Sequence, residues 1–128
     1  MRNYRARGVT KDGRPIFPEE YEHLVVANWL NTRGHVWIHV PNGGLRHPAV
    51  AKKLKAMGVR PGVSDFLIFT PPPRFSHMVG TALELKALDG KPMTEEQELF
   101  MADLGMRWAV ECHNGADAAI DWLESLGY

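Results

Sequence analysis

Two segments, VSDFLIF (residues 63–69) and GTALELKAL (residues 80–88), carry the apolar and aromatic side chains that line strands. The TPPPRFSHMV between them is too rich in proline to continue either. A connection this short turns the chain back but cannot make a crossover, so the two strands pair as an antiparallel hairpin. The loop is centred between Arg74 and Phe75. Symmetric pairing about that point, with no bulge, sets Asp65 directly across from Glu84. Lys86, two residues on, shares their face because side chains alternate with period two. Opposed residues bring their Cβ atoms to about 4.5–5.5 Å, where two like charges repel. Both strands otherwise read as buried on both faces, where unpaired charge is expensive. A cation would offset the repulsion, and all-oxygen ligation suits Mg2+ or Mn2+. The plainer alternative makes Asp65 a turn-end residue and Glu84 and Lys86 an ion pair on an exposed strand.

The remaining elements follow from their punctuation. FPEEYEHLVVANWLN has a proline and acids at its start and reads as a helix, with Leu24, Val25, Ala27, Trp29 and Leu30 as its apolar stripe. HVWIHV (35–40), ended by Pro41, reads as a strand, and PNGGLRH as a turn. PAVAKKLKAMG is a short helix between Pro48 and Gly58. TEEQELFMADLG opens with a capping box, Thr94 and Gln97, and ends at Gly105. MRWAVEC is a fourth strand, and NGADAAIDWLESLG a last helix with Asn114 as its cap. The order α-β-(α)-β-β-α-β-α implies an α/β fold in which helices flank a mixed sheet. Residues 1–15 read as a basic arm or tail, and residues 16–128 as one domain.

The 128 residues are 45% apolar and 23% charged, which is ordinary for a globular domain. One cysteine, Cys112, excludes an internal disulfide and fits a reducing interior. No apolar run reaches the roughly 18 residues of a membrane span, and the N-terminus lacks a secretory h-region, so a cytoplasmic location is expected. Net charge is zero but unevenly spread: residues 1–63 hold 11 Lys/Arg against 4 Asp/Glu, and residues 64–128 hold 4 against 11. That asymmetry suggests a basic face for a polyanion beside an acidic region that holds metal or stays solvated.

With Asp65 as the first acid and Glu84-Leu85-Lys86 as the second cluster, the chain resembles the VRR-Nuc (virus-type replication-repair nuclease) family of the PD-(D/E)XK nuclease superfamily. PNGG (41–44), KLKAMGVRPGVSDF (53–66), ELK (84–86) and TEEQ (94–97) follow that family's order and spacing, and the resemblance covers roughly residues 19–126. Ser64 stands where the motif's name has Pro. The resemblance implies a restriction-endonuclease-like αβββαβ core around a mixed sheet. It also implies an Mg2+- or Mn2+-dependent endodeoxyribonuclease that leaves 5′-phosphate and 3′-hydroxyl ends on branched DNA, of Holliday-junction or flap type. Asp65 and Glu84 would be metal ligands together with the backbone carbonyl of Leu85. Lys86 would orient the attacking water and steady the phosphate, and Glu22 and Gln97 would match the family's helical acid and glutamine. A homodimer, a phage or prophage origin, and the cytoplasm of a bacterium or infected host are further implications. The alternative function is a catalytically silent nuclease-fold module that binds DNA or a partner protein.

The basic set Arg46, His47, Lys52, Lys53, Lys55 and Arg60, with Asn42 and Gly43 of the turn, is a solvated helix face if taken alone, and beside the nuclease site that the resemblance implies it reads as a phosphate track leading to Asp65. Six histidines invite a zinc site, but no C-x2-C or comparable set exists. His35 and His39 would stand about 13 Å apart along one strand, too far to share an ion. The four tryptophans lie inside predicted elements and read as core. The absence of G-x-x-x-x-G-K-[ST] gives no support for a nucleotide cofactor.

Overall fold

The structure, a computed structural model, describes residues 3–41 and 47–128; Asn42, Gly43 and Arg46 lie outside the described residues. The elements run α1 (Glu19–Thr32), β1 (Trp37–His39), α2 (Pro48–Ala56), β2 (Phe66–Ile68), β3 (Gly80–Lys86), α3 (Glu95–Leu104), β4 (Trp108–Asn114) and α4 (Ala116–Ser125), with a 3-10 turn at Gly105–Arg107. The four strands form one sheet in the order β1-β2-β3-β4. β1 and β2 are antiparallel, as are β2 and β3, while β3 and β4 run parallel across the α3 connection. The sheet is mixed, as expected.

Its two faces have different company. Phe66, Ile68, Leu83 and Leu85 point to one side and pack with Val26 and Leu30 of α1 and Ala116, Ala119 and Leu123 of α4. Val26, absent from the expected stripe, belongs to the true buried row of α1: Glu22, Val26 and Leu30 recur every four residues. The other face carries Ile38, Leu67, Ala82 and Val110 side by side across all four strands. The next positions in the β2–β3 register, beyond Phe66↔Leu83, are Asp65 and Glu84.

Residues 3–17 turn back on themselves through a Val9↔Pro15 bridge. Arg7 grips Asp89 with both guanidinium nitrogens, and Tyr4 rests on Tyr21, which docks the arm on the domain. Asn114 does not cap α4. It ends β4 and donates its amide to the carbonyl of Ala87 at 2.9 Å, while Gly115, at φ 91°, makes the turn into the helix. The vacant cap is filled by Glu22, whose Oε2 accepts from the Ala116 N–H at 2.8 Å.

Candidate active site

Asp65 sits just before β2, where the chain leaves the 61–64 turn. Gly62 has φ 80°, and a Cβ there would fall 2.4 Å from the Glu96 carbonyl, so only glycine lets this turn lie against the start of α3. That close approach places Asp65 beside the β3 acids and beside Gln97. The Asp65 side chain then accepts the Leu85 N–H through Oδ2 at 2.8 Å, and its own carbonyl accepts the Val40 N–H at 2.9 Å. Backbone bonds on both sides fix where the carboxylate points.

Glu84 is 3% exposed. Its Oε1 accepts from Gln97 Nε2 at 2.8 Å and lies 3.6 Å from Lys86 Nζ, whereas Oε2 is buried with no partner among the described residues. Burial raises the Glu84 carboxyl from an ordinary 4.5 to about 8; the charge of Asp65 adds to this, and Lys86 opposes it. Gln97 is oriented locally: within the capping box Thr94 Oγ1 accepts the Gln97 N–H, and Gln97 Oε1 accepts the Thr94 N–H. The same Oε1 accepts from Lys86 Nζ at 3.0 Å. A helix-start motif legible in sequence thereby clamps an acid and a lysine on the neighbouring strand.

Asp65, Glu84, Lys86 and Gln97 line one cavity of about 890 Å³, walled also by Glu19, His23 and His39. Leu85 is in the core and reaches this site through its backbone. Glu22 does not line the cavity; it points across the molecule as the α4 cap and borders a second groove beside Asn114. Positions 22 and 23 stand about 100° apart around the helix, so while His23 faces the cavity Glu22 turns toward the start of α4. The residues that sequence reasoning passed over are His23 and His39. Their rings meet edge-on at 5.3 Å, and His23 Nε2 is 3.8 Å from Asp65 Oδ2 and 3.4 Å from Glu19 Oε1. The Glu19/His23 spacing is the sole signal of this in the sequence.

The expected phosphate track is only partly free. Lys52, Lys53 and Lys55 are exposed on α2, none ion-paired to a described residue. His47 is the α2 cap, its Nδ1 accepting the Ala49 N–H, and Arg60 is paired with Asp103 of α3 at 2.7 Å while lying over Phe100.

No family model matches the sequence, and no curated protein does. A solved structure described as a VRR_NUC domain protein superposes with a TM-score of 0.69 over 85% of this chain and 87% of that one, at 22% identity. The fold is VRR-Nuc-like. Within it, Asp65, Glu84 and Lys86 alternate along the β2–β3 register with the residues that pack against α1 and α4.

Proposed function

We propose that the protein is a divalent-metal-dependent DNA endonuclease that hydrolyses phosphodiester bonds in branched DNA, leaving 5′-phosphate and 3′-hydroxyl ends. The carrying observation is the buried Glu84 carboxylate beside Asp65, with one oxygen clamped by Gln97 and the other left without a partner among the described residues, in an open cavity. A carboxylate so buried beside another acid fits a hard cation. Asp65 and Glu84 would hold Mg2+ or Mn2+, joined by the carbonyl of Leu85. Such an ion lowers the pKa of its water and neutralises charge developing on the phosphate.

The chain's own side chains do the rest. Asp65, tied by the Leu85 amide, and Glu84, tied by Gln97, keep their oxygens at fixed positions before any substrate arrives. Lys86, held by Gln97, presents its ammonium to the space above Glu84, where it orients a water and offsets charge on a phosphoryl oxygen. The exposed lysines of α2 give the DNA backbone a place to rest. The VRR_NUC description of the structural neighbour supports the nuclease class. Four-way junctions rank first as substrates and flaps second, and a homodimer supplies the second cut that a junction needs.

Plasmid nicking with Mn2+ or Mg2+, and with EDTA as the blank, tests the chemistry. A panel of labelled four-way junctions, flaps, duplexes and single strands tests the substrate. Metal-dependent nicking with preference for branched forms is the expected result. Intact plasmid at micromolar protein with either ion would leave a DNA-binding module without catalysis.

A further inference from the structure

Beside the carboxylate pair is a donor set of different chemistry. A ring nitrogen of His23, a ring nitrogen of His39 and an Asp65 oxygen all lie within 4.8 Å of one another. They come from three elements: α1, β1 and the turn before β2. His39 Nδ1 lies 2.8 Å from the Asp65 carbonyl, so Nδ1 carries the hydrogen and Nε2 keeps its lone pair. A backbone carbonyl accepting the far ring N–H is the usual arrangement behind a metal-bound imidazole, because it fixes the tautomer and the ring plane. His23 Nε2 is buried without a hydrogen-bond partner among the described residues, and Glu19 Oε1 stands 3.4 Å from it. We infer that His23, His39 and Asp65 form a second metal subsite, which takes a later first-row transition ion such as Co2+ or Zn2+ and shares Asp65 with the Asp65/Glu84 position.

The two subsites sort ions by donor type. Imidazole favours the later first-row divalent ions, whereas Mg2+ keeps to oxygen donors and its own waters. The inference rests on the proposed nuclease reading only in that Asp65 is common to both positions, and its test is binding, not cleavage. Metal-free protein is titrated with Co2+, whose visible ligand-field band reports imidazole coordination, and separately with Mg2+ by calorimetry. His23→Gln/His39→Gln should weaken Co2+ binding at least about tenfold and erase the band, with Mg2+ affinity within about twofold. Glu84→Gln should do the reverse, weakening Mg2+ and keeping the Co2+ band. Co2+ binding unchanged in the histidine pair would make His23 a simple ion-pair partner of Glu19 and Asp65, and would overturn the inference. Loss of both ions together in Glu84→Gln would also overturn it, since that outcome describes one site. This double dissociation across the variants, with wild-type protein that cuts no DNA, would refute the nuclease reading alone.

Discussion

Glu84 holds the least comfortable charge in the described molecule, and its discomfort is measurable. Its carboxyl is near 4.5 unfolded and about 8 folded, so between those values the folded chain keeps a proton that the unfolded chain has released. Stability from this group is complete below the lower value and is lost as pH rises through the upper one. The melting temperature of metal-free protein should therefore fall from about pH 5 to about pH 8, and Glu84→Gln should flatten that slope. Mn2+ should raise it most at the alkaline end, where the carboxylate is free to bind. Scanning calorimetry with and without EDTA measures both effects; an equal slope in Glu84→Gln would remove Glu84 as the cause. In the proposed reaction Lys86 would act later. Its ammonium would matter most as charge moves onto the phosphate, so Lys86→Ala should reduce kcat about 10²–10³-fold with DNA affinity within about twofold. Parallel losses of rate and affinity in gel-shift and cleavage assays would make it a binding residue. The opposition of Asp65 and Glu84 is legible in the sequence because strand alternation and a symmetric loop are local rules. The meeting of His23 and His39 is not, because α1 approaches β1 only through tertiary packing.

Helix α1 shows how phase decides role. Position 22 looks like a catalytic acid by sequence order, yet it lies on the buried row with Val26 and Leu30 and reaches the first amide of α4. Glu22→Ala should cost about 1–3 kcal/mol, since it strands the Ala116 N–H in a buried place. Metal affinity should be unaffected. Urea unfolding paired with Mn2+ calorimetry separates the two roles, and a loss of Mn2+ binding without loss of stability would restore Glu22 to the site. The sequence promises a capping asparagine at the start of α4, a sound local reading that the long-range carboxylate displaces. α2 shows the opposite case, since its composition tells most of the story. It has no buried residue, so its lysines serve solvent or a ligand. Lys52→Ala/Lys53→Ala/Lys55→Ala should weaken binding to all DNA sequences alike. The salt dependence should flatten by up to about 0.9 for each duplex phosphate left without its lysine. A wild-type salt slope would make this a merely solvated helix.

The 14.4 kDa chain carries one copy of the Asp65/Glu84/Lys86 cluster, and the paired cuts of the proposed junction cleavage would need two in opposite polarity. A two-fold dimer gives that arrangement from identical surfaces. The sheet face that carries the acids also bears Val36, Ile38 and Phe69, which are 65%, 47% and 45% exposed, with Phe69 edge-on to Trp108. The helices α1 and α4 cover the opposite face; α3 reaches this one at Glu84 through Gln97, while Val36, Ile38 and Phe69 stay exposed. The charge halves of the chain do not keep this face basic or acidic as a block, because Arg7–Asp89 and Arg60–Asp103 pair across them. An exposed apolar patch on the face that carries the acids would suit a second copy bound to the same proposed junction. Light scattering at micromolar protein should give twice the chain mass, and Ile38→Lys/Phe69→Lys should give a monomer that nicks but no longer makes paired cuts. A wild-type monomer that makes paired cuts would defeat the two-fold scheme, and a monomer that trims only flaps would move the substrate from junction to flap.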